Sequence, residues 1–230
     1  MKWVLGWTLA AGACLAQTAP HAAGHWQGKI LIPDHETAFT VDLDRNAKGA
    51  WIGSMTITGS TSADVPLGSV EAEGATVRFT APLPGPTKFA GDLSADGAAI
   101  SGTTSNAQGD APFQLSRSGA ANVKVPPPSS TLSKEFEGTW EGTIESGGKV
   151  RRVGLKLATD ADGRAVGTLV AIDQGNLQIP ASTVTVQGKN LQVESRAISG
   201  MYRGALGADG DIAGEWTQGD QHMALVFKRK

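Results

Sequence analysis

The sequence predicts an all-β protein: two tandem eight-stranded antiparallel up-and-down barrels joined by a Pro-rich linker. Three observations carry this. Glycine is abundant, at 30 of 230 residues, and outside the leader no stretch keeps the i, i+3, i+4, i+7 apolar pattern of a helix. Short segments of alternating apolar and polar residues are separated by turn sequences. The chain also repeats itself: Gly24-His25-Trp26-Gln27-Gly28 returns as Gly138-Thr139-Trp140-Glu141-Gly142, 114 positions on.

Met1-Lys2 and the apolar run after them read as an export signal, residues 1–16, with cleavage after Ala16. An alternative makes Cys14 a lipid-anchored N-terminus. Ala11 argues against it, because a lipobox carries a large aliphatic residue there. Either route takes the protein out of the cytoplasm, to the periplasm or the medium. Cys14 is the single cysteine, so cleavage leaves no thiol for a disulfide, a zinc thiolate or a nucleophile. Residues 17–23 read as a flexible tail.

The first repeat spans 24–118. Its strands are Trp26–Ile32, Thr37–Asp44, Ala50–Thr58, a short one begun by Val65-Pro66, Ala75–Ala81, Thr87–Ser94, Ala98–Ser105 and Ala111–Arg117. Arg45 to Gly49, Glu73-Gly74, the Pro82–Pro86 loop and Ala95-Asp96-Gly97 supply turns between them. Residues 119–137 form the linker, with Pro126-Pro127-Pro128-Ser129-Ser130 as a semi-rigid element. The second repeat, 138–230, follows the first through Gly167 for Gly53, Ile179-Pro180 for Val65-Pro66, and Gln187-Gly188 for Glu73-Gly74. The offset then slips to 113 at Tyr202-Arg203-Gly204 for Phe89-Ala90-Gly91, and to 112 at Ile212 and Gly214 for Ile100 and Gly102.

Within strands, glycine shares the face of the apolar residues: Trp26-Gly28-Ile30, Trp51-Gly53-Met55, Phe89-Gly91-Leu93, Trp140-Gly142-Ile144, Tyr202-Gly204-Leu206 and Ile212-Gly214-Trp216. A side-chain period of two puts these glycines inside. Inward glycines let a narrow barrel close on a solid core, or leave space for a ligand. Both readings stand. A ligand would meet a mostly apolar wall, lined by Trp140, Tyr202, Trp216 and Met223 in the second repeat and by Trp51 and Phe89 in the first. The Tyr202 hydroxyl and the Trp216 indole are its polar groups.

Gly-x-Trp at the start of the first strand, with Arg near the end of the last, resembles the signature of lipocalin-like (calycin-type) barrels. The residues are Gly24, Trp26 and Arg117, then Gly138, Trp140 and Arg229. The resemblance implies that each arginine stacks on its tryptophan and caps one barrel end. The second repeat is also similar to glycine-rich modules that precede the catalytic domain of some exported bacterial serine hydrolases. The similarity runs from Gly138 through Asp160–Gly163 and Tyr202-x-Gly204 to Gly214-x-Trp216-Thr217-Gln218-Gly219, and implies an accessory role.

Chemistry is not expected of this chain. No Gly-x-Ser-x-Gly elbow occurs, and its serines have no activating neighbour motif. Asp160-Ala161-Asp162-Gly163 lacks the further oxygen ligands of a calcium loop and reads as a hairpin turn. His21 and His25 read as incidental surface residues, so no metal or cofactor is expected. The 20 basic and 22 acidic residues form no basic stripe, which argues against nucleic acid. No internal apolar run reaches the roughly 18 residues of a membrane helix. The expected role is an exported, non-catalytic module that binds a small apolar ligand or an envelope partner. The alternatives are a structural or interaction protein with solid barrels, and an accessory to a separate serine hydrolase.

Overall fold

The computed structural model describes residues 21–230; residues 1–16, expected to be an export signal, and the expected cleavage after Ala16 lie outside the described residues. Two nine-stranded antiparallel sheets, each curled on itself, make up the fold. Unit 1 holds β1 (Gly24–Ile32), β2 (His35–Arg45), β3 (Trp51–Ile57), β4 (Val65–Pro66), β5 (Val70–Glu73), β6 (Thr76–Ala81), β7 (Thr87–Leu93), β8 (Ala99–Asn106) and β9 (Gly109–Gly119). Unit 2 holds β10 (Gly138–Ser146), β11 (Lys149–Thr159), β12 (Ala165–Ala171), β13 (Leu177–Pro180), β14 (Thr183–Gln187), β15 (Asn190–Ser195), β16 (Gly200–Leu206), β17 (Ile212–Gln218) and β18 (Gln221–Arg229). The helical content of the described residues is two 3₁₀ turns, Ile172–Gln174 and Arg196–Ile198.

Each sheet is a meander whose first and last strands pair: β1 with β9, and β10 with β18. The strand count is nine per unit, where the sequence predicts eight. The extra strand arises because the predicted fourth strand is broken. In unit 1 every pairing is antiparallel, which makes β4 and β5 run in the same direction on opposite edges of the sheet. Between them the chain changes sides in one step. Leu67 N–H donates to Gly53 O at 2.9 Å on β3, and Gly68 N–H donates to Thr80 O at 2.8 Å on β6. Unit 2 repeats this at Ala181 and Ser182, which donate to Gly167 O and Glu194 O. One bent segment therefore joins both edges of each sheet, leaving little backbone unpaired there.

The alternation of side chains follows the sequence reading. Along β7, Thr87, Phe89, Gly91 and Leu93 are buried while Lys88, Ala90 and Asp92 are exposed. Along β18, Met223, Leu225 and Phe227 are buried between exposed neighbours. Along these two strands charged groups point outward, and the inward row is mostly apolar. No helix of the described residues is long and apolar enough to cross a membrane. The glycines face in as well, and large neighbours cover them. A Cβ on Gly91 would stand 2.9 Å from the Phe113 ring, and one on Gly204 would stand 2.4 Å from the Tyr202 hydroxyl. Gly102 and Gly214 let two strands approach closely, since a Cβ there would lie 2.0 Å and 2.1 Å from the carbonyl oxygens of Ala90 and Arg203.

Two segments differ from their expected roles. Residues 21–23 do not form a free tail: Ala22 is buried, and its carbonyl accepts the Trp26 indole N–H at 2.9 Å. The segment after the prolines packs onto unit 2. Ser130 N–H donates to Val184 O at 3.0 Å, Ala165 N–H donates to Ser130 O at 2.8 Å, and Phe136 is fully buried in the unit 2 core. Small polar residues there suit hydrogen bonding to an open strand edge, not only a spacer. The units also touch directly. Ser62 Oγ donates to Ala197 O at 2.6 Å, Arg196 Nη1 donates to Asp64 O at 3.2 Å, and Val65 packs into the unit 2 apolar cluster.

Candidate functional site

One end of each unit is capped. Arg117 lies over Trp26 with its guanidinium carbon 4.2 Å from the ring centroid, and Arg229 stands over Trp140 at the same distance. Both pairs form within a unit, across the strands that close the meander. Such stacking is worth about 0.5–2 kcal/mol. Hydrogen bonds add to it: Arg117 donates to the carbonyls of Gly97, Ala23 and His21, and Arg229 donates to those of Glu137 and Glu135. Trp140 Nε1 donates to Phe136 O at 2.9 Å, as Trp26 does to Ala22. The segment before each tryptophan is thus pinned across the barrel end. The glycine of Gly-x-Trp has a physical reason too. A Cβ on Gly24 would stand 2.2 Å from Arg117 Nη1, and one on Gly138 would stand 3.0 Å from Arg229 Nη1.

The opposite end of unit 2 opens into a pocket of about 210 Å³. Its walls are Ile144, Val153, Leu169, Trp216, Leu225 and Phe227, all on inward positions. At its rim, Arg152 and Asp173 form an exposed ion pair at 2.8 Å. The Asp173 carboxyl also accepts Arg152 N–H at 2.8 Å, which ties the 3₁₀ turn to β11. The Arg152 backbone and side-chain hydrogen bonds hold this carboxyl below the usual carboxylate range.

The matching interior of unit 1 is filled. Phe39, Phe79, Phe89 and Phe113 form one aromatic cluster with centroids 4.5–5.6 Å apart around Phe89. Register identifies their counterparts. Phe39 faces Gly28 as Val153 faces Gly142. Phe79 faces Phe89 as Val193 faces Tyr202, and Phe113 faces Gly102 as Leu225 faces Gly214. Three rings become aliphatic side chains, and two of those positions, Val153 and Leu225, line the pocket. Trp216 in place of Thr104 takes back part of the space, its ring lying over Gly200.

Of the residues expected to line a ligand site, Trp216 does so. Trp140 lies beneath Arg229 at the capped end. Tyr202 is buried away from the pocket, and its hydroxyl donates to Ile212 O at 2.8 Å, so it has no free polar group for a ligand. Burial raises its pKa. Met223 sits opposite Trp216 but off the pocket wall. In unit 1, Phe89 is the centre of the aromatic cluster. Trp51 closes the seam between β3 and β5: its indole donates to Ala72 O at 3.2 Å under the Arg45 guanidinium. The sequence points to aromatic residues at the site; the pocket wall keeps Trp216 and Phe227 but has Val153 and Leu225 where unit 1 has Phe39 and Phe113. Comparing the two repeats position by position carries that signal, through Phe39 against Val153 and Phe113 against Leu225.

The acidic turn Asp160–Gly163 is a hairpin turn, with Asp160 Oδ1 accepting the N–H groups of Asp162 and Arg164. His25 Nδ1 stands 2.9 Å from Asp42 Oδ1, which also accepts Asn122 N–H.

No protein-family model matches the chain, and no curated protein matches it. Two solved structures are similar over most of their length. One is a protein of unknown function from the DUF3598 family of Nostoc punctiforme, 12% identical, covering 90% of this chain and 96% of that one, with a TM-score of 0.25. The other is a candidate outer membrane protein from Bacteroides fragilis, 10% identical, covering 91% of this chain and 98% of that one, with a TM-score of 0.29. Likenesses at these scores assign neither a ligand nor an activity to this chain.

Proposed function

We propose that the protein is an exported, non-catalytic binding module of two lipocalin-like barrels, in which unit 2 takes a small apolar ligand and unit 1 is a filled structural partner. The observation that carries this is the pocket of about 210 Å³ at the place where unit 1 has phenylalanine rings. Its apolar wall offers shape and burial, and no activated nucleophile stands on it. An apolar cavity of about 150 Å³ holds one benzene. By the same packing, this pocket takes a ligand of about eight heavy atoms. Export rests on the apolar leader at residues 1–16. The resemblance of unit 2 to accessory modules of serine hydrolases supports a role beside a reaction rather than in one.

Toluene tests the reading. A ligand that binds only the folded state raises the unfolding temperature with concentration. Toluene should raise it for the wild type and leave it unchanged in Val153→Phe and Leu225→Phe, which restore the unit 1 rings. A wild type indifferent to toluene, or a response that survives both substitutions, would remove the pocket from the account.

A further inference from the structure

The pocket mouth is not symmetric in charge. Arg151 is one of the residues that line it. It faces Ile144 across β10 and β11, which places it on the same inward row as Val153 and Leu155. Unit 1 has Thr37 at this position, facing Ile30. Arg151 is half-buried at the mouth, and its charge reaches the Asp173 carboxylate from a distance. Neighbouring Arg152 points outward and is engaged, its guanidinium holding Asp173 at 2.8 Å with 63% of its side chain exposed. Among the described residues, no carboxylate stands within ion-pair distance of Arg151. The rim therefore carries two guanidinium groups against the one carboxylate of Asp173. The other polar rim residues, Gln174 and Gln218, are neutral, and Gln218 is engaged with Ile198 O at 2.8 Å.

We infer that the ligand of unit 2 is a small aromatic or aliphatic acid, its apolar body between Trp216, Val153 and Leu225 and its carboxylate at the mouth against Arg151. This rests on the binding-module reading above and names the chemical class that the module prefers. Size agrees: a ring fits the apolar interior, and an anionic head extends into the mouth, where water still reaches it. A guanidinium meets a carboxylate in a planar, bidentate geometry, so the pair selects for head-group shape as well as charge. The head stays partly hydrated, so the preference over a neutral analogue is moderate.

Benzoate and benzamide make the test, since they share size and ring and differ in charge. Toluene serves as the headless control. Calorimetric titration of the wild type should show benzoate binding about fivefold or more tightly than benzamide, the gain of a partly exposed charge pair. In Arg151→Gln that preference should vanish while toluene binding is unchanged. If toluene binds but benzoate gains nothing over benzamide, or if Arg151→Gln keeps the preference, the acid assignment is overturned and the apolar pocket stands. If none of the three probes binds the wild type, the binding-module reading falls with it.

Discussion

Units 1 and 2 share a meander, a cap and a broken strand, yet their interiors differ at a few aligned positions. Phe39 and Phe113 help fill unit 1, and Val153 and Leu225 at the same positions leave room in unit 2. The seam between the sheet edges differs as well. Trp51 bridges it in unit 1, where unit 2 has Ala165, and there Ser130 supplies the bridge from outside the repeat. Sheet topology survives both exchanges. The wall is set by register and hydrogen bonds, and the content of the barrel is set by side-chain volume, so one can vary while the other is kept.

The largest test of this comparison addresses what is shared. Trp26→Ala and Trp140→Ala each remove a fully buried indole, its hydrogen bond and an arginine stack. Each should cost its own unit about 3–5 kcal/mol in denaturant unfolding. Equal losses mark the cap as a common determinant, and a negligible loss in either unit breaks the parallel. Exchanging the interiors comes next. Phe39→Val with Phe113→Leu should hollow unit 1 and lower its stability by about 2–4 kcal/mol. Val153→Phe should instead fill unit 2 and raise its stability by about 0.5–2 kcal/mol. A loss in unit 2 would mean the pocket is held by strain rather than by missing volume.

Tyr202 gives a smaller, sharper contrast, because unit 1 has Phe89 at its position. Tyr202→Phe should cost about 0.5–1.5 kcal/mol for the lost hydrogen bond to Ile212. It is also the single tyrosine of the chain. Burial raises its pKa above the ordinary 10.0, so the neutral phenol is the form that the fold favours. The associated stability is complete below that ordinary value and is lost as pH rises past it. Ultraviolet difference titration should show no tyrosinate near pH 10 while unit 2 stays folded. The smallest effect is at Asp173, whose carboxyl is held below its usual range. Its tie to β11 is intact above the ordinary carboxylate pKa and is lost as pH falls through the lowered one. Amide shifts of Arg152 followed by NMR on acidification should trace this, and a transition at the ordinary carboxylate value would remove the tie.

Much of the architecture is readable in the chain because period-two alternation and glycine placement are local signals. Trp26, Arg117, Trp140 and Arg229 are readable for another reason: the same short motif occurs twice at matched spacing. The broken strand is less so. Val70–Glu73 is four residues with two glutamates, and its pairing to β6 depends on a chain crossing that no local pattern encodes. The pocket is harder still. It is a difference between facing side chains on strands far apart in sequence, so it emerges only once Val153 and Leu225 are placed on one interior. Arg151 is hidden for the same reason, since two consecutive arginines look alike until the strand assigns one to each face.

The caps have a consequence for timing. Arg117 reaches back 94 positions to Ala23, and Arg229 reaches back 92 to Glu137. Each unit thus joins its beginning to its end, and its first strand lacks one neighbour until the last arrives. Folds dominated by such non-local pairing form in milliseconds to seconds, because loop entropy is lost before contacts repay it. A nascent unit therefore stays open over most of its own synthesis, and its latch closes only when the last strand arrives.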